Sequence, residues 1–324
     1  MKPILSICIP TYNRANILAE TLSNILNSIM GFNEIEIIVS DNASSDSTKE
    51  IVKTFINKYP EIKYYRNEIN IYELNYYTVV EKATGDYIWV FGDDDKILPG
   101  LIDKVIRYIK KDFNLIIANY SIWENDFNCI IKENIFNIKN DQLIYDKNIL
   151  LTKLGLKLGF ISCVIIKRED FLTISKNEYY NYVKYGFPFL LAIYTAVIKK
   201  CKVYIISDLI LYQRGAVNNM SLDIWYKFFV EGSSQIFNNL RAKGYSQTAI
   251  SKAKNHIIKE YVISDIFWRR KNKENIKGLF GVIFPYYRYN IIFWVVIPSI
   301  LFFPLNLIVF LRKIIMRYRK LFNN

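Results

Sequence analysis

A chain of 324 residues, 52% hydrophobic and 23% charged, has enough apolar mass for a large core, which excludes global disorder. The net charge of +13 is concentrated: residues 266–324 hold 11 Lys and Arg against one acid, Glu274, so the rest of the chain is close to neutral. A single histidine, His256, argues against a His-based zinc centre and a Ser-His-Asp hydrolase, and four cysteines without a CxxC pair read as free thiols in a reducing compartment.

The opening third alternates two periodicities. Residues 4–9 form a short apolar run that predicts a strand, too short for a signal peptide, and so a cytoplasmic start. Residues 16–29 place Ile17, Leu18, Leu22, Ile25, Leu26 and Ile29 at helical spacing. A second strand is expected over 35–40. Ser47 with Glu50 reads as a capping box that opens a helix through Ile51, Val52, Phe55 and Ile56. A strand over 62–65, a helix over 72–83 and a strand over 87–91 follow. Pro99 and Gly100 open a helix to about residue 111, and 115–119 is a fifth strand. This rhythm predicts an α/β fold with a mainly parallel sheet flanked by helices. Further on, strands are expected over 160–166 and 203–212, with a helix over 189–199 between them. Residues 221–277 read as mostly helical.

The C-terminal stretch differs. Residues 291–311 carry no charge across 21 positions, about 31 Å as one straight helix. Pro298 and Pro304 interrupt it, and basic residues flank both ends: Arg269, Arg270, Lys271, Lys273, Lys277 and Arg288 before, then Arg312, Lys313, Arg317, Arg319 and Lys320 after. A single span would place one cluster on the wrong side. The pattern predicts a broken helical hairpin or in-plane helices on the cytoplasmic leaflet, with Trp294, Tyr286, Tyr287 and Tyr289 at headgroup level. The chain thus divides into residues 1–220 and a helical region 221–324, whose segment from about 279 to 320 is membrane-associating. Anionic lipid, not nucleic acid, is the partner this combination favours.

Chemistry concentrates at expected strand ends. Tyr87 to Pro99 reads YIWVFGDDDKILP: an apolar strand runs into three aspartates, which repel one another unless something positive joins them. A hard divalent cation with the phosphates it carries is the simplest answer, at the edge where open α/β sheets hold ligands. Pro10-Thr11-Tyr12-Asn13-Arg14 ends the first strand, where Thr11 and Tyr12 suit a nucleobase and Arg14 a phosphate. Ser40-Asp41-Asn42-Ala43-Ser44-Ser45-Asp46 ends the second; Asp41 can accept from a base or ribose, and Asp46 and Ser47 can cap the next helix. Ala83-Thr84-Gly85-Asp86-Tyr87 is a helix stop leading into the aspartate-bearing strand.

In this order, over residues 4 to about 120, these segments resemble family 2 glycosyltransferases of the GT-A, Rossmann-like fold, and WVFGDDDKILPG is similar to abequosyltransferase-type enzymes of bacterial surface-polysaccharide assembly. The resemblance implies a nucleotide-contacting turn at Pro10, Thr11, Tyr12 and Arg14. It implies a base-recognising aspartate at Asp41, with Asn42 and Ser44 beside it. It also implies a DxD site at Asp93–Asp95 for Mn²⁺ or Mg²⁺ and the diphosphate. Counted back from Pro99, Gly92 takes the place of the usual first aspartate and Asp94 becomes the metal ligand; read literally, Asp93 and Asp95 do. The first register is favoured, with Asp94 expected on the metal, Asp93 towards the ribose and Asp95 bracing the loop. Arg214 either supports the leaving diphosphate or is structural. The Glu-Asp pair that supplies the general base in many relatives is missing, since Tyr185-Gly186-Phe187-Pro188-Phe189 has no carboxylate. Glu178 and Asp170 are the nearest upstream carboxylates. The resemblance implies inverting transfer of a sugar from a nucleoside-diphosphate sugar to a lipid-linked or polysaccharide acceptor. It places the enzyme, peripheral or monotopic, on the cytoplasmic face of the bacterial inner membrane. The missing pair keeps open a catalytically inactive, nucleotide-sugar-binding scaffold. A nucleotidyltransferase would want a Gly-rich phosphate loop, absent near the start of this chain.

Overall fold

Short runs without polar alternation are stable as strands when both faces are covered. The computed structural model describes residues 2–215, 221–304 and 306–308. It turns the apolar runs into β1 (Leu5–Thr11), β2 (Ile35–Asp41), β3 (Lys63–Arg66) and β4 (Tyr87–Val90); every residue of β1, β2 and β4 is buried. Between them lie α1 (Ala15–Ser28), α2 (Thr48–Lys58) and α3 (Leu74–Lys82), with α4 (Leu101–Ile109) after β4. The expected stripe of α1 faces inward through Leu18, Leu22, Ile25 and Leu26.

These four strands pair in parallel, in the order β3-β2-β1-β4. Two short strands follow: β5 (Lys96–Ile97) and β6 (Leu115–Ala118). Next come β7 (Ser121–Trp123), β8 (Ile130–Lys132), β9 (Gln142–Ile144), β10 (Val164–Lys167), β11 (Val203–Ile206) and β12 (Leu211–Arg214). The main sheet continues from β4 as β10-β6-β11-β9, with β10 antiparallel to both its neighbours and β6 parallel to β11. A small second sheet, β5-β12-β7-β8, sits beside it.

Three expectations change. Residues 160–166 do not make one strand: a 3₁₀ turn, Ile161–Cys163, precedes β10. The expected strand over 203–212 is two, because Ser207 and Asp208 turn the chain out of the main sheet; Asp141 accepts from the Ser207 N–H at 2.8 Å and holds that exit. Ser47 makes no capping bond. Asp46 does that work: its Oδ1 accepts from Thr48 N–H and its Oδ2 from Ala15 N–H, both at 3.0 Å, so one carboxylate serves the starts of α2 and α1.

Beyond residue 221 the chain is helical over 222–242 and 247–271, each stretch containing a π-helical segment, Lys227–Gly232 and Ile258–Val262. These helices share the core of the sheet domain: Gln247–Ile257 packs on Lys147–Leu154 and Ser233–Ala242 on Pro188–Ala196. Two shorter helices follow, Leu279–Tyr287 with Pro285 inside it and Ile291–Phe302 with Pro298 inside it. No helix among the described residues is long and apolar enough to cross a membrane; Ile291–Phe302 rises only about 18 Å. Tyr287 is 1% exposed and so cannot lie at a headgroup level, whereas Tyr289 (89%) and Trp294 (51%) are open. Arg312, Lys313, Arg317, Arg319 and Lys320 lie outside the described residues.

Candidate active site

Parallel register sets Thr11 opposite Asp41, and Cys8 opposite Val90, so the carboxyl ends of β1, β2 and β4 share one edge. Strand order runs outward from β1 to β3 and then returns to β4 on the other side of β1. The crevice at that reversal is where doubly wound sheets hold ligands. Gly92 and the three aspartates emerge there.

The triplet does not act as one acidic cluster. Asp93 is buried; its Oδ2 accepts from Thr11 Oγ1 at 2.7 Å and its Oδ1 from Arg14 Nη1 at 2.9 Å. Asp94, with 23% of its side chain exposed, accepts from the same Nη1 at 2.8 Å. Burial works against the charge of Arg14, but Asp93 and Asp94 outweigh it and raise its pKa. Burial likewise pushes the Asp93 carboxyl up, with Arg14 pulling it back. The positive group joining these carboxylates in the protein is therefore Arg14. Asp95 points the other way: Ser162 Oγ donates to its Oδ2 at 2.5 Å and Arg214 N–H to its Oδ1 at 3.1 Å. Burial, then Asp94, raises its pKa well above the usual carboxylate range. Asp95 braces the loop and is not placed to hold a metal.

The oxygens of Asp93 and Asp94 are hard donors of the kind Mn²⁺ and Mg²⁺ take. Among the described residues no three His, Cys, Asp or Glu side chains converge into a cage. None is needed, because Mg²⁺ is commonly held by one or two carboxylates together with substrate phosphates. Asp94, facing the cleft beside Asp93, fits that arrangement.

On one side of Arg14 lies a cleft of about 310 Å³ lined by Pro10, Thr11, Tyr12 and Asn42, and by Asn70, Tyr72, Asn75 and Tyr76 from the turn before α3 and its first residues. Asp41 is not in its wall. Asp41 is fully buried, accepting from Ser44 N–H (2.8 Å), Tyr64 Oη (2.6 Å) and Arg66 Nη1 (3.0 Å). It shapes the turn that carries Asn42 and Ser44. Asn42 in turn is held by Asn67, Asn70 and Ile71 N–H, and Ser44 Oγ accepts from Asn13 N–H.

On the other side opens a larger cleft of about 550 Å³. Its walls come from the aspartate loop, from Tyr120 and Phe160, and from Phe229, Glu260 and Tyr261 on the two π-helical segments. Arg214 lines it too, yet each of its three guanidinium nitrogens already donates, to Asp94 O, Asn125 O and Glu20 Oε2. These bonds tie it to the aspartate loop while it still lines the cleft. Glu178 and Asp170 do not reach either cleft. Glu178 pairs with Lys243 at 2.8 Å. Asp170 accepts from Asn114 and follows β10, whose carboxyl end lies at the start of β4, the opposite edge of the sheet. Tyr72, Tyr76 and Glu73 were hidden in a segment that reads simply as helix, and Phe229 and Tyr261 lie more than 130 residues from the aspartates; no contiguous motif marks either set.

A model of glycosyl transferase family 2 matches residues 6–173, just over half of the chain. The chain belongs to that family. Abequosyltransferase RfbV of Salmonella typhimurium is 30% identical to this family 2 glycosyltransferase over 199 residues, which cover 58% of the chain and 60% of that protein. The GalNAc(5)-diNAcBac-PP-undecaprenol beta-1,3-glucosyltransferase of Campylobacter jejuni is 29% identical, covering 47% and 48%. The chain thus spans less than two thirds of the length of either curated relative. Its fold is that of S. aureus TarS (residues 1–349, with UDP-GlcNAc), at a TM-score of 0.59, 14% identity and coverage of 88% of this chain and 80% of that one. A second structure of the same fold is mannosyltransferase PcManGT from Pyrobaculum calidifontis with GDP-Man and Mn²⁺, at a TM-score of 0.54, 14% identity and coverage of 80% and 71%.

Proposed function

We propose that this protein transfers a sugar from a nucleoside-diphosphate sugar to a hydroxyl of a lipid-linked or polysaccharide acceptor. The observation that carries the reading is the Arg14–Asp93–Asp94 group at the carboxyl end of β4, set between two clefts. The smaller cleft takes the nucleoside, with Tyr12, Tyr72 and Tyr76 offering ring faces and Asn42 and Asn70 offering amide groups. The larger takes the sugar and the acceptor. Arg14 is the cation available to a phosphate, and moving onto one frees Asp94. Asp94, with Asp93, would hold Mn²⁺ or Mg²⁺. Such a bound ion supplies Lewis-acid stabilisation of the charge that develops on the diphosphate as it departs. Thr11 keeps Asp93 oriented and Ser162 keeps Asp95 from swinging into the cleft. Attack from the face opposite the leaving group gives inversion.

The ligands of the two neighbouring structures, UDP-GlcNAc and GDP-Man with Mn²⁺, support a nucleotide-sugar donor. The undecaprenol of the Campylobacter relative's name supports a lipid-linked acceptor. We place the protein at the cytoplasmic face of a bacterial inner membrane, held peripherally or monotopically by residues from about 279 onward against anionic lipid. The functional division therefore falls near residue 220, although the helices beyond it also wall the larger cleft.

Asp94→Ala tests the reading. Asp94 shares Arg14 with Asp93, which keeps that pairing when Asp94 is removed, so we expect the variant to fold, as circular dichroism checks. We expect Mn²⁺-dependent binding of nucleoside diphosphate, measured by calorimetry with UDP, GDP, CDP and dTDP, to weaken, and sugar transfer to fall by about 10²–10³-fold. Undiminished transfer at saturating donor and metal would rule the site out.

A further inference from the structure

Among the described residues five carboxylates line the larger cleft: Glu73, Asp93, Asp94, Asp95 and Glu260. Asp93 and Asp94 are taken by Arg14, Asp95 by Ser162 and the Arg214 amide, and Glu260 by Lys157 at 3.3 Å. Glu73 is different. Apart from its own backbone N–H, no donor or cation among the described residues engages its carboxylate. It is half-buried just before α3, against Tyr76 and Tyr179. It also stands at a crossing: it lines both clefts beside Arg14, and a third groove of about 600 Å³ whose walls include Tyr180, Val183, Lys184, Lys227 and Phe228. No other described residue lines all three. The acceptor shares the larger cleft with the donor sugar, and the third groove opens a further approach to the same carboxylate.

We propose that Glu73 is the general base of this glycosyltransferase. The proposal rests on the sugar-transfer reading and fills the role left vacant by the missing Glu-Asp pair. The acceptor O–H bond breaks and its proton passes to a Glu73 oxygen. The acceptor oxygen forms the bond to the anomeric carbon while the bond from that carbon to the phosphate oxygen breaks, and the electron pair leaves with the diphosphate. The chemistry asks for a carboxylate that is free of strong partners and basic enough to accept a proton near neutral pH. Burial raises the Glu73 pKa, and no neighbouring cation reverses it. The charged and titratable groups sharing its clefts include Arg14, Tyr76, Asp93 and Asp94, then Tyr72, Tyr180, Lys184 and Lys227, with Tyr179 behind it; none of the cations is ion-paired to it.

Glu73 must be ionised to work, so transfer falls as pH drops through a value above the ordinary glutamate range. For stability the same shift acts in reverse: the folded state holds its proton more tightly than the unfolded chain, so ionising Glu73 destabilises the fold as pH rises through that window. Glu73→Gln removes the charge and therefore folds at least as well as the parent at neutral pH.

The experiment compares the parent, Glu73→Gln and Glu73→Asp as full-length protein with Mn²⁺ and a polyprenyl-diphosphate-linked glycan as acceptor, following nucleoside-diphosphate release from a panel of UDP-, GDP-, CDP- and dTDP-sugars and binding of the free nucleoside diphosphates by calorimetry. We expect Glu73→Gln to lower kcat by about 10²–10⁴-fold, to erase the acid limb of the pH profile and to leave the nucleotide Kd within about twofold, with Glu73→Asp restoring part of the rate. Turnover within about threefold of the parent, or a Kd weakened as much as kcat, overturns the assignment. A parent that binds nucleotide but turns over no donor overturns the sugar-transfer reading and this assignment with it.

Discussion

Gly92 stands where a DxD register would put an aspartate, and the reason is steric. A Cβ there would lie 2.5 Å from Asp95 Oδ2. The backbone must pass that close because Ser162 Oγ accepts from Gly92 N–H at 2.7 Å and donates onward to Asp95. Asp95 and Gly92 are thus one unit that holds the loop and presents Asp93 and Asp94. Gly92→Ala forces Asp95 off Ser162 and strands a buried carboxylate. We expect a loss of about 1–3 kcal/mol in thermal or denaturant unfolding, together with weaker Mn²⁺-dependent nucleotide binding. A variant as stable as the parent, with normal binding, would show that the loop has slack. Arg14 teaches a related lesson. Three adjacent aspartates call for a positive partner, and the chain itself supplies one from a turn 79 and 80 residues earlier.

The ends of helices and strands, more than their middles, assemble the site. Asp46 caps α2 and also receives the first N–H of α1, which ties together the turns that follow β1 and β2. Hydrogen bonds from Thr48 and Ala15 overcome the effect of burial and hold its pKa down. Asp46→Ala should lower stability by about 1–2 kcal/mol near neutral pH. Because the folded pKa is depressed, that contribution exists above the usual Asp range and disappears as pH falls through the folded value, so the difference between variant and parent should vanish in acid. A gap that persists there would point to packing instead. Similarly, Asn24 on α1 brackets β5 through paired bonds to Ile97. Two π-helical segments turn Phe229, Glu260 and Tyr261 into the larger cleft. Such local widenings of a helix recur at functional sites.

Charge and apolarity are distributed unevenly across the protein. The helices Leu279–Tyr287 and Ile291–Phe302 expose Val282, Ile291, Trp294, Val295 and Phe302, close to Arg270 and Arg288. An apolar surface rimmed by cations suits an anionic bilayer: apolar insertion supplies binding that salt does not screen, and the cations supply binding that it does. The double variant Trp294→Ser with Phe302→Ser should bind vesicles containing phosphatidylglycerol about tenfold more weakly in flotation, with residual binding that falls steeply as salt rises. Full binding by this variant would rule these helices out as the docking surface, and no vesicle binding by the parent would rule out the proposed membrane association.

Strand and helix positions, the polar turns at one sheet edge and the family itself were legible because each is written in contiguous residues: an apolar run, a 3.6-residue period, the words IPTYNR and GDDDKILP. The break of the C-terminal apolar stretch was equally visible in Pro298 and Pro304. Pairings across the chain were not. That β10 enters antiparallel between β4 and β6, that Asp41 turns inward to Tyr64 and Arg66, and that Glu73 meets the aspartate cleft without a partner all depend on which of many similar apolar faces come together. Those choices are settled by packing and by the cost of burying charge, energies that belong to surfaces in contact and to no single segment.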